Sequence, residues 1–557
     1  MSSAPPTPTT PRVRRLPLAG VLRLGRPSDI WFKPALSAVA SMAPPNLTLL
    51  ALGRLDLAMY TMAGSLCALY AHNRPYAARA RVLAWVVLGM VGGLAVALVT
   101  ASLTTNAIVL VTVGALLAAV QKVVCDATRI GPPAHVVLTF ISSASLFAPQ
   151  TLGQVPGHLA LALAAGAWAW LVGMGPGLVR PDGPERRATA QALDAAATYA
   201  ATGGSGAARA RAATAAAVQA AWQSLLAAGT RSEPRRALER LVVRAEVALA
   251  APADTEPEQL RAWARALRGR GPVPQPDDLT GAADELVGVD AELAAGTRPL
   301  WTRLGPLTPL AVRTTVGCAL AGYASLALGV GRPYWALVTA ASLYQANLTL
   351  TWSRGVQRVV GNLVGVLVFA ALVPLAHLHA AALVLCCLAL NFGAEALIGR
   401  NYWLGSICVT PMALLITEFA RLQDSGELIT ERVVDTLVGA LVGFVAAVAV
   451  TNRRSGDRLE QALTAAERAR EHAARLVAEP YSAPGVLESA RRALAAALVD
   501  LRATADAASG EWWQRALPQE RVVLVEQAGH RTLAATVRRQ GLFLDRRTSG
   551  RTEDVRP

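Results

Sequence analysis

Twelve apolar stretches, each close to the length a bilayer demands, constrain this chain more than any other feature. A membrane-spanning helix needs about 20 consecutive apolar residues, because in hydrocarbon its backbone N–H and C=O groups find partners only within the helix. Six stretches form a first block: 34–52, 55–71, 82–100, 104–124, 134–150 and 157–179. Six more form a second: 308–330, 333–350, 356–375, 378–398, 402–419 and 431–451. Pro44-Pro45 predicts a break or kink in the first stretch, since each ring removes a helical donor, and Glu395 puts a charge inside 378–398. Of the 557 residues, 53% are hydrophobic and 16% charged, whereas a soluble domain carries about a quarter charged. The fold class expected is all-α: a polytopic membrane protein.

Between and after the blocks the character changes. Residues 181–304 and 453–557 are rich in Ala, Arg and Glu, as in "EPRRALERLVVRAEVALA" and "GDRLEQALTAAERAREHAARLVAE", and read as soluble amphipathic helices. The domains expected are a disordered basic arm (1–33), a first transmembrane repeat (34–180), a helical region (181–304), a second transmembrane repeat (305–452) and a C-terminal helical region (453–557). The arm is rich in Pro, Thr and Arg and lacks the apolar core of a signal peptide.

Charge placement gives an orientation. The net charge is +15 and almost wholly arginine, Lys33 and Lys122 being the two lysines. With the N-terminus inside, the cytoplasmic loops are 72–81, 125–133, 351–355 and 399–401 together with both helical regions; they hold Arg74, Arg79, Arg81, Arg129, Arg354 and Arg400, and the tail begins at Arg453 and Arg454. The external loops 53–54, 101–103, 151–156, 331–332, 376–377 and 420–430 carry few positive charges. This bias predicts N-in, C-in topology in the inner (plasma) membrane. Spread over short loops rather than gathered in one groove, the arginines argue against a nucleic-acid partner. The partners expected are the lipid bilayer and a small organic anion, with homo-oligomer formation left open.

The blocks read as copies. "GRLDLAMYTMAGSL" from Gly53 lines up with "GRPYWALVTAASL" from Gly331, and each is followed by arginines and then a Gly-spaced helix, Gly89/Gly93 and Gly361/Gly365. Six spans per half make the two repeats face the same way, and a site is then expected at their interface.

No motif of a soluble enzyme, no P-loop and no metal or cofactor signature stands out. The six cysteines form no CxxC pair, and His377/His379 read as a membrane-edge pair. Charge inside hydrocarbon is costly and marks function more often. Asp435 shares a helical face with Gly439 and Gly443, four and eight residues on. It is either a proton-coupling or substrate-shell acid, or the structural partner of Arg432 or another arginine. Arg358, with Asn362 one turn later, is either a positive-inside anchor or a carboxylate-binding guanidinium. Arg313 and Glu395 sit within apolar runs; Arg54, Asp56 and Arg332 occupy matching helix ends, as a gate or an interfacial ion pair. Gln345 and Asn347 are further candidate lining. Gly361, Gly365, Gly439 and Gly443 are expected to let helices pack closely.

Residues "RPYWALVTAASLYQANLTLTWSRGVQRVVGNLVGVLV" (332–368), "GRNYWLGSICVTPMALL" (399–415) and "ERVVDTLVGALVGFVAA" (431–447) resemble the fusaric acid resistance protein family, also described as the integral membrane bound transporter domain or aromatic acid exporter family. The first block resembles its N-terminal half more weakly, through 75–93. The positions matching the family's pattern are Tyr334, Trp335, Arg354, Arg358, Gly361, Gly365, Arg400, Asn401, Tyr402, Pro411, Arg432, Asp435, Thr436 and Gly439. Ala346 and the Gly331-Arg332 pair depart from it. The resemblance implies efflux of small organic anions, typically aromatic carboxylic acids, driven by the proton gradient. A gated anion channel is the first alternative; a non-transporting scaffold with partner-binding helices is the second.

Overall fold

In the computed structural model, residues 16–25, 30–228, 232–275, 304–419, 422–450, 455–480, 485–510 and 518–540 are described. Most of the expected arm, part of the central region (276–303) and Arg453/Arg454 lie outside these residues. Every regular element among the described residues is helical. The first block contributes α1 (Phe32–Ala51), α2 (Leu55–Leu69, its ends 3-10), α3 (Tyr76–Leu103), α4 (Ala107–Thr128), α5 (His135–Leu146) and α6 (Val155–Met174). Polar helices follow: α7 (Gly183–Ala200), α8 (Ala207–Ala227), α9 (Glu233–Ala250) and α10 (Pro257–Arg268). The second block contributes α11 (Thr308–Ala327), α12 (Tyr334–Leu343), α13 (Leu348–Ala376), α14 (Ala380–Ile398), α15 (Tyr402–Thr417) and α16 (Ser425–Ala449). The C-terminal polar helices are α17 (Ser455–Ala478), α18 (Val486–Ser509) and α19 (Gln519–Arg539).

The expectation of twelve full spans is corrected. Among the described residues seven helices are long and apolar enough to cross a membrane, and α2, α5, α12 and α15 are apolar but short. At 1.5 Å per residue, the ten residues of α12 cover about 15 Å, half of a ~30 Å hydrocarbon core. The sequence expects helices over 333–350 and 356–375. Instead the chain leaves the helix at Tyr344, whose backbone is extended, and restarts at Leu348, where the Asn347 side chain accepts the Leu350 N–H at 2.8 Å. Arg354 therefore sits in α13, not in a loop. Arg79 and Arg81 likewise fall in the first turns of α3. Non-helical backbone at such depth is tolerated only where protein covers it or a cavity borders it; Tyr344 is buried and Gln345 borders a cavity. The break expected at Pro44-Pro45 is absent, as α1 continues through both prolines.

The packing partners of the two blocks correspond. Helix α2 packs on α6 as α12 does on α16, and α3 packs on α5 and α6 as α13 does on α15 and α16. Between blocks, α1 packs on α14 and α4 on α11. Glycines set the closest approaches. A Cβ on Gly439 would lie 2.5 Å from the Ala336 carbonyl oxygen, and one on Gly361 2.6 Å from that of Trp403. The expected Gly faces are thus where α16 meets α12 and where α13 meets α15.

The polar helices form two joined clusters: α7 packs on α8, α9 and α10, and α17 on α18 and α19, with α18 against α8 and α19 against α9. Buried charge crosses the join. Glu246 of α9 pairs with Arg491 of α18 at 2.8 Å and accepts the Trp222 indole N–H at 2.7 Å. At the start of α7, burial pushes the Glu185 carboxyl up to about 7, with Asp182 adding to the rise and Arg235 opposing it.

Two outcomes follow. Gly361→Val must separate α13 from α15 or shift the Trp403 backbone, and should cost about 1–3 kcal/mol, read as a lower thermal midpoint of the detergent-solubilised protein. Glu185 has a folded pKa above its unfolded value, so its contribution to stability is present at acid pH and lost as pH rises through 7. The stability of Glu185→Gln relative to the parent should therefore grow from pH 5 to pH 8; a constant difference across that window would show that Glu185 is not the titrating group.

Candidate anion-binding cavity

A cavity of about 1930 Å³ lies between the two blocks. Its lining reaches Asp56, Phe147 and Arg332 at one end of the bundle and Arg74, Arg129 and Arg400 at the other, where Gln223 and Ser224 of α8 also border it. The short helices α5 and α12 make its wall. Every residue of α12 is buried, so Tyr334 and Trp335 are held in the interior. Phe140 of α5 and Phe147 just beyond its end lie 5.5 Å from Trp335 and 5.7 Å from Tyr334, ring centre to ring centre. Aromatic faces from both blocks thus meet in one place.

Besides Arg332 and Arg400, three further arginines of the second block line it: Arg354, Arg358 and Arg432. Helix α13 presents Arg354 and Arg358 four residues apart, on one face. Tyr402, which opens α15, accepts a hydrogen bond from Arg358 Nη1 at 2.8 Å and offers its ring to Arg354 at 3.9 Å. Arg432 of α16 is 1% exposed and lies 4.0 Å over the Trp335 ring. Its Nη2 donates to Asn362 Oδ1 at 3.3 Å; the same oxygen accepts from Thr410, and Asn362 Nδ2 donates to Thr436 at 3.1 Å. Among the described residues none of the three arginines has a carboxylate within ion-pair distance, and Arg358 Nε, Arg432 Nε and Arg432 Nη1 have no hydrogen-bond partner. Burying a cation without a counter-ion costs several kcal/mol, and an anion placed among these donors would remove that cost. His72, at the end near Arg74, adds no charge: burial and the adjacent Arg79 hold its imidazole down at about 3.

The other expected residues separate into distinct places. Asn362 and Arg432 join the arginine network. Glu395 and Gln345 line the cavity, as do Asp56 and Arg332 near its far end. Arg54 and Asp56 form an exposed pair at 3.0 Å, while Arg332 pairs with Glu431. Asp435 is fully buried and does not pair with Arg432: Ser325 of α11 donates to its Oδ1 at 2.5 Å, and its Oδ2 has no partner. Arg313 donates to the Val450 carbonyl beyond the end of α16 at 2.9 and 3.1 Å. Asn347 serves as the cap of α13. Sequence reasoning left out Tyr402 and Trp335 as site residues, although both matched the family pattern. It also left out Lys122, His135 and Phe140, which come to the lining from the first block; Lys122 at the end of an apolar run was their only sequence signal.

Residues 319–446 match the family model described as fusaric acid resistance protein-like. This fusaric acid resistance protein-like segment holds Arg354, Arg358, Asn362, Tyr402, Thr410, Arg432, Asp435 and Thr436; the first block and Arg313 fall outside it. An uncharacterized membrane protein of Bacillus subtilis (strain 168) is 30% identical over 139 residues, 25% of this chain. The match spans 22% of that relative's length. No solved structure matches the chain. The chain is accordingly a membrane protein whose second block contains a segment similar to fusaric acid resistance proteins.

Replacing a guanidinium in this network removes a charge-assisted contact to a bound anion, worth about 1.5–3 kcal/mol. Arg358→Gln and Arg432→Gln should each weaken organic-anion binding about tenfold to a hundredfold, measured by calorimetry or scintillation proximity on purified protein. Arg54→Gln, at the exposed pair, should leave it unchanged.

Proposed function

We propose that this protein exports small organic anions, such as aromatic carboxylates, across the inner (plasma) membrane, energised by the proton gradient. The observation that carries the reading is the cluster of three arginines that, among the described residues, have no carboxylate within ion-pair distance, in a cavity bordered by both blocks. The aromatic rings beside them suit a ligand that is flat and apolar at one end and anionic at the other. Two same-facing repeats, supported by the corresponding packing partners, put the cavity at their interface, where a parallel-repeat transporter is expected to hold its substrate. Both termini and the polar helices are assigned to the cytoplasm, on the arginine-rich end of the bundle. An inside-negative potential already favours anion exit by about 2.3 kcal/mol per charge per 100 mV, and Asp435 is the acid assigned to proton coupling. A gated channel is the second reading, favoured by a lining that reaches the loops at both ends.

Uptake of labelled aromatic acids into inverted vesicles, with and without an imposed proton gradient, tests the proposal. Gradient-stimulated uptake is expected in the parent, loss of uptake in Arg358→Gln, and binding without gradient stimulation in Asp435→Asn. Currents whose reversal potential follows the anion alone, indifferent to a pH gradient, would establish the channel instead.

A further inference from the structure

Residues 16–25 lie across the outside of the second block, and the way they are held points to a specific surface. Trp352 donates its indole N–H to the Pro17 carbonyl at 3.2 Å and Trp403 donates to that of Leu22 at 3.2 Å. Gln357 donates to Val21 O at 2.9 Å, and Asn401 to Val21 O and Arg23 O at 3.1 and 3.0 Å. The Gly25 N–H reaches the Arg400 carbonyl at 2.8 Å. The segment's carbonyls and the Val21 side chain therefore face the bundle, while Leu18, Leu22 and Leu24 point away, at 68%, 40% and 55% exposure, with Arg23 among them.

We infer that residues 16–25 are an interfacial strap: Leu18, Leu22 and Leu24 seat in the headgroup region of the bilayer, Arg23 meets anionic lipid phosphate, and the strap so anchored positions Tyr402. Three observations select lipid as the occupant. The strap lies at a helix end where two tryptophans offer their N–H groups, the arrangement expected of a membrane interface. Pro17 borders a cleft between Leu350 of α13 and Asp506 and Ser509 at the end of α18, and α13 again exposes leucines at Leu363 and Leu367, at 38% and 70%, so the strap lies where the apolar bundle meets the polar helices. The alternation of leucine with one arginine is that of a peripheral membrane anchor, in which buried apolar area and attraction to anionic lipid add.

The consequence for the site follows from register. The residues holding the strap flank those holding the anion: Asn401 and Trp403 bracket Tyr402, while Trp352 and Gln357 neighbour Arg354 and Arg358 on α13. Securing these turns keeps the Tyr402 hydroxyl on Arg358. This positioning role rests on the proposed function; lipid seating does not.

The test uses the full chain in vesicles with and without phosphatidylglycerol. A bimane label at Leu22→Cys, in a background with the native cysteines replaced, reports quenching by lipids brominated near the headgroup and by aqueous iodide. Lipid quenching is expected to dominate, to strengthen with phosphatidylglycerol, and to give way to iodide when Leu18 and Leu24 become Glu. Dominant iodide quenching in the parent, or cross-linking of two chains through position 22, would overturn the lipid assignment. Asn401→Ser keeps a cap oxygen for α15 but loses both strap contacts; it should weaken anion binding about tenfold, the worth of one charge-assisted hydrogen bond, and raise iodide access at position 22. Unchanged anion affinity alongside a released strap would overturn the positioning role, whereas a parent that binds no anion would sink the transport reading and leave the lipid result standing.

Discussion

The guanidinium of Arg432, buried on the face of Trp335 and, among the described residues, with no carboxylate within ion-pair distance, is the constraint on which the second block depends. A cation at that depth is tolerable only if its donors are nearly satisfied and its ring partner shields it. Asn362 satisfies one donor, and Thr410 and Thr436 hold Asn362 in turn, so α13, α15 and α16 are tied together around one charge. The donors left over are what a ligand can use. Helix packing and the proposed anion binding are thus two consequences of the same buried polar network, and disturbing one helix of the three alters the other two.

Close approach makes this network possible. Without side chains at Gly361 and Gly365, α13 lies against Ser406 and Thr410 of α15, and without side chains at Gly439 and Gly443, α16 lies against Ala336, Thr339 and Ala340 of α12. In hydrocarbon no hydrophobic effect drives helices together, so such close contact and the hydrogen bonds it allows supply the attraction. The shortness of α12 has the same importance. Because it stops at Leu343, the chain turns inside the bundle, and α13 begins early enough to carry Arg354 and Arg358 on its first turns.

The two blocks share packing partners but not chemistry. The first block answers the arginines with aromatic and apolar faces, Phe140 and Phe147, and with Lys122 and His135 at the lining. It supplies one wall of the cavity and leaves the polar network to the second block, which agrees with the family match ending there. The polar helices are not separate from this arrangement. Ser224 and Gln223 of α8 border the cavity, and the Gly510 carbonyl at the end of α18 accepts the Thr349 N–H at 3.1 Å beside the turn that starts α13.

Hydropathy by itself determined that the chain is helical and membrane-embedded, because a bilayer imposes length and apolarity on any run that enters it. Glycine spacing likewise announced the packed faces of α13 and α16, and the cost of intramembrane charge singled out Asp435 and Arg358, with Arg432 entering as a possible partner of the acid. Periodicity could not tell where α12 ends, since the apolar residues on either side of Gln345 and Asn347 read as one run to 350; a cap and a buried turn decided it. Nor could it tell which charges meet. Asp435 and Arg432 are one helical turn apart, yet one turns to Ser325 and the other to Trp335, and Arg313 is taken up by a helix-terminal carbonyl. Tyr402, Trp335 and the first-block aromatics carry no charge to betray them. Only the tertiary structure placed them beside the arginines, because contact between helices distant in sequence is settled by packing, which no local pattern records.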